Sequence, residues 1–272
     1  LSTWQHASEL SKLNRAPLGV PMALSRAAAI DLQQAVDCAE ATHGAFDPTV
    51  GKLVSAWDLR GPGRIPSGDE LRAALLRVGH RHLRMSERGA ARTADIQVEE
   101  GGFGKGASLD WALWSVRQLP IQGVLMNLGG QILVYGLQTS IAIAHPSKRE
   151  SPVVMLTISK GSVSTSGNSE HHRTIDGRKI GHLIDPRSGE PARDVGSMTV
   201  WAHSGAWADC LSTALFVLGA DAAMQWAKTH PGVEVIAIDE LNGELRARAT
   251  AGLKGILHSV APSAVKVEFE ND

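Results

Sequence analysis

Residues 161–169 read Gly-Ser-Val-Ser-Thr-Ser-Gly-Asn-Ser, and residues 181–189 read Gly-His-Leu-Ile-Asp-Pro-Arg-Ser-Gly. Hydroxyl groups, glycines and one amide crowd the first stretch, directly after an apolar segment that predicts a strand. Ser and Thr hydroxyls together with unhindered Gly amides form polar concavities that suit phosphate oxygens. Taken alone, such a segment is more often an ordinary Ser-rich surface turn. Its interpretation therefore depends on the rest of the chain.

A second pattern predicts a helix over residues 208–219 that ends at Gly219. Asp209 and Thr213 are four residues apart and share one face, with Ser212 beside them at a spacing of three. A carboxylate and hydroxyls held together near the start of a helix offer the hard oxygen ligands that Mg²⁺ prefers. The alternative is that Asp209 only caps the helix or complements its dipole. Spacing alone does not separate a cap from a ligand.

The third pattern is the Gly-rich run Glu-Glu-Gly-Gly-Phe-Gly-Lys-Gly at residues 99–106. Alternation over residues 94–98 predicts a strand before it, and apolar spacing from Leu109 onward predicts an amphipathic helix after it. A strand, a Gly-rich turn and a helix aim backbone N–H groups at a phosphate. The run is not a Walker A loop, because Gly106 stands where that loop needs Ser or Thr. It is not a dinucleotide-binding fingerprint either, because the glycine spacing differs.

Together these segments resemble the flavin transferases of the ApbE family, the FAD:protein FMN transferases. Residues 8–14, Ser-Glu-Leu-Ser-Lys-Leu-Asn, are similar to the family's Ser-x-Leu-Ser-x-x-Asn opening. Residues 46–51, Phe-Asp-Pro-Thr-Val-Gly, are very close to its Phe-Asp-Pro-Thr block, and residues 127–130, Asn-Leu-Gly-Gly, match its Asn-Leu-Gly-Gly-Asp turn. The blocks follow the family order across most of the chain, which makes the resemblance specific.

The resemblance implies an enzyme that transfers FMN from FAD to a Thr or Ser hydroxyl of a target protein. The reaction is Mg²⁺-dependent, forms a phosphoester bond and releases AMP. FAD is then the substrate, and the implied partners are flavin-accepting redox proteins that carry an Asp-x-x-Ser/Thr-Gly-Ala-Thr-type motif. Two alternatives stay open. One is a Mg²⁺-dependent FAD pyrophosphatase that gives FMN and AMP, and the other is a non-catalytic FAD-binding module.

Site residues follow from the resemblance position by position. The implied metal ligands are Gly102, through its main-chain oxygen, and Asp209, Ser212 and Thr213. The implied catalytic residues are His182 and Asp185. His182 is the candidate base, since histidine titrates near neutral pH, and Asp185 is its alternative or partner. The residues implied in FAD binding are Trp57, Asp58, Leu59, Glu99, Lys105, Ser164, Thr165, Ser166 and His182.

Three positions depart from the family pattern. Glu99 stands where the family usually has Asp, and Gln131 replaces an Asp by a neutral amide. Residues 57–59 read Trp-Asp-Leu where the family usually has Trp-Gly-Phe. These changes affect the expected substrate geometry and rate more than the fold, and Gln131 keeps the non-catalytic alternative open.

Helical and strand patterns mix without regular β-α-β units, which indicates an α+β chain with mixed or antiparallel sheets and packed helices. Helices are predicted over residues 25–42, 69–78, 110–119, 208–219 and 221–229, and strands over 94–98, 124–127, 132–135, 141–144, 153–158, 195–202 and 233–238. The resemblance implies a single domain of ApbE-like flavin transferase fold over residues 1–272. It further implies two closely joined lobes with an FAD cleft.

Composition limits the partners. The net charge is −1 and no basic stripe is present, which argues against nucleic-acid binding. Two cysteines give no disulfide framework. Family members usually carry a leader and a first strand ahead of the Ser-x-Leu-Ser block, and we expect both to be absent from this chain. By resemblance we expect a periplasmic protein, or one anchored in the membrane and facing the periplasm.

Overall fold

A computed structural model describes residues 1–86, 89–168, 173–175, 177–241, 243–261 and 265–270. The helices are α1 (Glu9–Arg15), α2 (Arg26–Ala41), α3 (Gly51–Ala56), α4 (Gly68–Leu75), α5 (Gly104–Val116), α6 (Gly205–Leu218) and α7 (Ala220–Lys228), with 3₁₀ turns at His80–His82 and Ala251–Leu253. The strands are β1 (Leu83–Ser86), β2 (Gly89–Arg92), β3 (Val124–Leu128), β4 (Gln131–His145), β5 (Lys148–Gly167), β6 (Arg173–Ile175), β7 (Arg178–Ile180), β8 (Ser197–Ala202), β9 (Glu234–Leu241), β10 (Glu244–Ala249), β11 (Leu257–Ser259) and β12 (Lys266–Phe269).

The chain folds into two compact units. Unit 1 comprises Leu1–Gly104 and His171–Ala192, and unit 2 comprises Lys105–Glu170 and Arg193–Asp272. Mixed helices and strands confirm the predicted α+β class. The predicted FAD cleft and the single domain over residues 1–272 stay predictions. Within the described residues, no helix combines the length and the apolarity that crossing a membrane requires.

Serine caps begin several helices of unit 1. The Ser25 hydroxyl accepts a hydrogen bond from the Ala28 N–H (3.2 Å) at the start of α2, close to the predicted start. Ser67 and Glu70 form a capping box at α4, in which each side chain accepts the other's backbone N–H. The predicted helix over residues 69–78 ends earlier than expected, at Leu75.

The Phe-Asp-Pro-Thr block of unit 1 is held by the carboxylate of Asp47, which is buried with only 4% of its surface exposed. Its Oδ1 accepts hydrogen bonds from the backbone N–H (2.8 Å) and the hydroxyl (2.6 Å) of Thr49. Its Oδ2 accepts the His80 backbone N–H (2.8 Å) and lies 2.9 Å from His80 Nδ1. The carboxylate therefore fastens this block to the turn at His80.

These hydrogen bonds shift the pKa values of both Asp47 and His80. Burial acts to raise the pKa of Asp47, but the hydrogen bonds from His80 and Thr49 outweigh it and lower the pKa below its ordinary value. The hydrogen bond to Asp47 raises the pKa of His80 above its ordinary value. The pair therefore favours a charged imidazole beside a charged carboxylate.

We expect His80→Gln to lose stability in a pH-dependent way. Because the folded pKa of His80 is raised, the imidazolium stabilises the fold below the ordinary histidine pKa of 6.5, and this contribution is lost as pH rises through the folded pKa. The free energy of unfolding of wild type should exceed that of the variant by about 1 kcal/mol in mildly acidic buffer, and by less in alkaline buffer. Urea unfolding across that range measures the difference. A difference independent of pH would show that the charged pair contributes nothing.

Unit 2 is built on one large sheet. Its strand order is β12-β10-β9-β8-β5-β4-β3, and β11 also pairs with β5. β10 pairs with β12 in parallel, whereas β9, β8, β5, β4 and β3 pair with their neighbours antiparallel, so the sheet is mixed as predicted. Helix α6 packs against β5 and β8. The helix that carries the predicted metal ligands thus lies on the central strands.

Several predicted elements need correction. The Ser-rich run at residues 161–167 is the end of strand β5 and not a loop. The two strands predicted at 132–135 and 141–144 form one strand, β4, with an irregular register between Tyr135 and Thr139. Residues 94–98 form no regular strand, since Gln97 makes only an isolated parallel bridge to Val50. Helix α5 begins at Gly104, inside the Gly-rich run and ahead of the predicted residue 110.

Candidate functional site

Two groups cap the N-terminus of α6, the hydroxyl of Ser204 at the helix start and the carboxylate of Asp110 on α5. The Ser204 hydroxyl accepts the Trp207 backbone N–H (3.3 Å). The carboxylate of Asp110, on α5, accepts the backbone N–H groups of Gly205 (2.7 Å) and Ala206 (3.0 Å). It also accepts the Ser204 hydroxyl at 2.8 Å. The alternative interpretation of Asp209 as the cap of this helix is therefore wrong.

Two glycines let α5 and α6 approach closely. A Cβ atom built on Gly106 would lie 2.0 Å from the Gly205 carbonyl oxygen, and one built on Gly205 would lie 2.5 Å from the Gly106 carbonyl oxygen. Neither position can therefore hold a side chain without moving the backbone. This approach explains why Lys105 is followed by Gly and not by the Ser or Thr of a Walker A loop.

The close packing of α5 against α6 places two hydrogen-bond donors at the carboxylate of Asp209, a residue with 2% of its surface exposed. Its Oδ2 accepts the Gly106 backbone N–H at 3.0 Å, and its Oδ1 accepts the Lys105 ammonium at 3.1 Å. The Lys105 side chain is 41% exposed. A buried carboxylate therefore faces a cation whose flexible stem leaves it able to move toward a ligand.

Hydroxyl groups on α6 and β5 form a cluster beside the main-chain carbonyl oxygen of Asp209. The Ser212 hydroxyl donates to the Asp209 carbonyl oxygen (2.8 Å) and lies 2.9 Å from the Ser166 hydroxyl. Ser166 also lies 3.4 Å from the Thr213 hydroxyl, and Ser212 donates to the Ser164 hydroxyl at 3.2 Å. With Lys105, the structure thus brings together six of the predicted residues of unit 2.

Thr165 does not join this cluster. Successive side chains of a strand point to opposite faces, so Thr165 faces away from its neighbours Ser164 and Ser166. Its hydroxyl pairs with that of Thr199 on β8, at 2.8 Å. The Thr165 hydroxyl therefore lies apart from those of Ser164 and Ser166, and its part in FAD binding stays a prediction.

The oxygen set fits a hard divalent cation. Among the residues that the structure describes, no three His, Cys, Asp or Glu side chains converge as metal ligands. A Mg²⁺ site here would therefore combine the Asp209 carboxylate with hydroxyl and main-chain oxygens, as Mg²⁺ accepts. The Lys105 ammonium already occupies a cation position on Asp209 Oδ1 and acts as a stand-in. Gly102 belongs to unit 1, where it lies in the turn before α5.

Gln131 is a buried support of α6, which the sequence did not reveal. With 2% of its surface exposed, its Nε2 donates to the Gly205 carbonyl oxygen (2.8 Å) and to the Ser162 hydroxyl (3.2 Å). An ionised Asp could not donate to that carbonyl. The family departure at this position therefore replaces a charge by a donor that ties β4 to the start of α6.

Glu99, a predicted FAD-binding residue, belongs to an ionic cluster in unit 1. Its side chain is 12% exposed and pairs with the Arg60 guanidinium, which also donates to the Thr3 hydroxyl. Burial raises the pKa of Glu99 above its ordinary value, although Arg60 acts to lower it. The Arg60 guanidinium stacks on the Trp4 ring at 4.6 Å. Nothing in the local pattern of the sequence points to Arg60 or Thr3.

Trp57 lies in the core of unit 1. It is 4% exposed and packs with Leu53, Val78 and Ile184, and its Nε1 donates to the Gly189 carbonyl oxygen at 2.8 Å. This burial leaves its ring almost no open surface, and its part in lining the flavin stays a prediction.

The two residues after Trp57 are also engaged within unit 1. Leu59 packs against the same core cluster as Trp57. Asp58 adopts a positive φ of 51°, and its carboxylate accepts the Gly63 backbone N–H at 3.3 Å. Asp58 thus stabilises the turn after α3.

His182 and Asp185 lie in the loop after β7. The Asp185 carboxylate accepts the Arg187 backbone N–H (2.9 Å), its Nε (2.9 Å) and its Nη2 (2.8 Å). Backbone bonds fasten the loop, from Ala192 N–H to the Leu183 carbonyl oxygen (2.8 Å) and from Asp185 N–H to the Glu190 carbonyl oxygen (2.9 Å). A carboxylate held in this way shapes the turn. His182 is half-buried in the same loop, and the catalytic roles of His182 and Asp185 stay predictions.

A family model described as the ApbE family matches residues 1–237. The FAD:protein FMN transferase of Klebsiella pneumoniae is 31% identical over 240 residues, which cover 83% of this chain and 69% of the relative. That of Treponema pallidum is 31% identical over 277 residues, which cover 93% of this chain and 76% of the relative.

Solved structures agree with this match. The flavin transferase ApbE from Vibrio cholerae superposes with a TM-score of 0.84 at 27% identity, over 94% of this chain and 85% of that one. The apo form of the flavinyl transferase ApbE from Pseudomonas stutzeri gives a TM-score of 0.82 at 25% identity, over 94% and 83%. The expected ApbE-like fold is confirmed. The chain belongs to the ApbE family.

Proposed function

We propose that this chain is an FAD:protein FMN transferase, which moves FMN from FAD to a hydroxyl group of a target protein. Relatives of that name are about 30% identical to it over most of its length. The observation that carries the proposal is the buried Asp209 carboxylate with the Lys105 ammonium on one oxygen, next to a cluster of hydroxyls that begins at the Asp209 main-chain oxygen. These groups can bind a phosphoanhydride and neutralise its negative charge.

Each group has a distinct part. Mg²⁺ held by Asp209 and Thr213 would neutralise charge on the oxygens of the phosphoanhydride. Lys105 supplies a second positive charge, since its partly exposed ammonium can leave Asp209 for a phosphate oxygen. The closely packed glycines of α5 and α6 keep Lys105 and Asp209 within reach of each other. The chain's own residues thus bind and orient the pyrophosphate.

The transfer itself is a substitution at phosphorus. The target's hydroxyl oxygen forms a bond to the FMN phosphorus, the bond from that phosphorus to the bridging oxygen breaks, and AMP leaves with that oxygen. The hydroxyl proton passes to His182, because a neutral hydroxyl is a weak nucleophile. The product is a phosphoester between FMN and the Thr or Ser side chain.

The structure weakens the non-catalytic alternative. That alternative depended on the neutral Gln131 in place of an Asp. Gln131 is buried and bonds the Gly205 carbonyl, so it supports α6 while the carboxylate of Asp209 and the ammonium of Lys105 are retained. The pyrophosphatase alternative uses the same groups with water as the nucleophile. An assay with a target domain distinguishes this pyrophosphatase from the transferase.

The test incubates the purified chain with FAD, Mg²⁺ and a target domain that carries an Asp-x-x-Ser/Thr-Gly-Ala-Thr-type motif. We expect the intact mass of the target to increase by one FMN, with release of AMP, and no increase when the acceptor hydroxyl is removed or EDTA is added. FMN and AMP without a modified target would establish the pyrophosphatase instead. If FAD stays intact, the chain is a binding module and the proposed function is wrong.

The partners and the place of action rest on family membership. We propose flavin-accepting redox proteins with this motif as targets, and the periplasmic side of the membrane as the place where the chain meets them. Flavinylation of a target confined to the periplasm of cells that express this chain tests both.

A further inference from the structure

Unit 1 contains a polar cavity of about 230 Å³ that holds none of the predicted FAD-binding residues. Of the described residues, three cationic side chains, Arg15, Lys52 and Arg92, line it together with one carboxylate, that of Asp95. Hydroxyl and amide side chains complete the lining, among them Ser11 and Gln97. The lining therefore combines an excess of positive charge with neutral hydrogen-bonding groups.

Arg92 is the most constrained of these cations, since its side chain is 7% exposed. Its Nη1 donates to the Ile96 carbonyl oxygen (2.8 Å) and its Nη2 to the Ala16 carbonyl oxygen (2.6 Å). Its Nε is buried and has no hydrogen-bond partner among the described residues. Carbonyl oxygens satisfy donors but do not neutralise a charge, and burial lowers the pKa of Arg92. Arg92 is thus a buried cation with a spare donor.

Asp95 does not balance this charge. Its carboxylate, 49% exposed, lies 3.2 Å from Lys52 Nζ, 3.5 Å from Arg77 Nη1 and 3.7 Å from Arg92 Nη1. One carboxylate at the surface is therefore shared among three cations, and the contact to Arg92 is the longest. Buried charges are normally paired at hydrogen-bonding distance. Among the residues that the structure describes, no second anion lines the cavity.

We propose that this cavity binds a small oxyanion of the phosphate class, either free phosphate or a phosphate monoester. Guanidinium and ammonium groups that line one cavity, together with hydroxyls and amides, match the many acceptor oxygens of a phosphate. The cavity is smaller than the roughly 300–1,000 Å³ of ordinary ligand pockets, which calls for a small ligand. The proposal does not depend on the transferase reaction.

Calorimetric titration with inorganic phosphate tests the site, at constant ionic strength and without FAD or Mg²⁺. We expect saturable binding to wild type, and an affinity reduced about tenfold or more in Lys52→Gln, because one charge-assisted hydrogen bond is lost. Lys12→Gln is the matched control, since Lys12 is exposed on α1 and does not line the cavity. Arg15→Gln repeats the test at a second cationic residue that lines the cavity. Thermal unfolding confirms that each variant is folded.

Two further titrations identify the ligand and test whether its site is separate from the FAD site. In the first, the affinity for glycerol phosphate is compared with that for inorganic phosphate, which distinguishes a phosphate monoester from the free ion. In the second, saturating FAD should leave the phosphate affinity unchanged. The proposal is overturned if wild type shows no saturable binding, if Lys52→Gln and Lys12→Gln bind alike, or if FAD displaces the phosphate.

Discussion

Asp209→Ala is expected to abolish the Mg²⁺-dependent transfer of FMN, with a fall of about 10³-fold or more in turnover. Removal of a single electrostatic stabiliser already costs about 10²–10³, and here the lost group is also the proposed anionic metal ligand. Binding of Mn²⁺ as a probe for Mg²⁺ should disappear as well. Turnover assays and calorimetric Mn²⁺ titration measure the two effects. Equal activity in variant and wild type would refute the metal assignment.

The fold should survive this substitution, because Ser204 and Asp110 cap α6 and Asp209 does not. Asp209→Asn is the matched control. It keeps the size of the side chain and an oxygen for the Gly106 N–H, but removes the charge. If Asp209 only accepts hydrogen bonds between α5 and α6, the Asn variant should keep activity. If the charge holds a metal, the Asn variant should fail as the Ala variant does.

Local periodicity predicted α6 well. The helix expected over residues 208–219 spans Gly205–Leu218 and ends at Gly219 as expected. The spacing of Asp209, Ser212 and Thr213 places them together, because a helix fixes neighbours three and four residues apart. A helix is defined by contacts within one short segment, so its sequence carries most of the information needed.

The Ser-rich run of β5 shows where local reasoning fails. Its Gly, Ser and Thr composition is typical of loops. In the structure, however, it is a strand that pairs with β4 over residues 161–163 and with β8 over residues 162–167. This pairing outweighs composition, since strand propensity depends strongly on tertiary context. The error also hid the alternation that separates Thr165 from Ser164 and Ser166.

The supports of the site could not be predicted because they act over long chain separations. Asp110 caps a helix about 95 residues later in the chain, and Gln131 bonds a carbonyl 74 residues away. The burial of Trp57 was not predicted for a similar reason, since its hydrogen-bond partner Gly189 is 132 residues away. Resemblance singled out Trp57 and Gln131 but not Asp110, and the partners of all three residues lie far away along the chain.

His182→Ala is expected to reduce FMN transfer by about 10²–10⁴, the typical cost of losing a general base. The affinity for FAD should change little, because the proposed role is to accept the proton of the attacking hydroxyl. The loop that carries His182 is fastened by backbone bonds at Leu183 and Asp185, which do not require the imidazole. The variant should therefore fold. FAD titration and single-turnover transfer at saturating FAD measure the two quantities separately.

His182→Gln distinguishes a base from a hydrogen-bonding group. Glutamine can hydrogen-bond a flavin or phosphate oxygen, but its amide cannot take up a proton near neutral pH. A base role requires the Gln variant to be as slow as the Ala variant, with FAD affinity kept in both. If Gln restores the rate, or if affinity falls while the saturated rate survives, His182 holds the substrate instead. In that case the proton acceptor has to be another group within reach of the hydroxyl, since Arg187 already engages both oxygens of the Asp185 carboxylate.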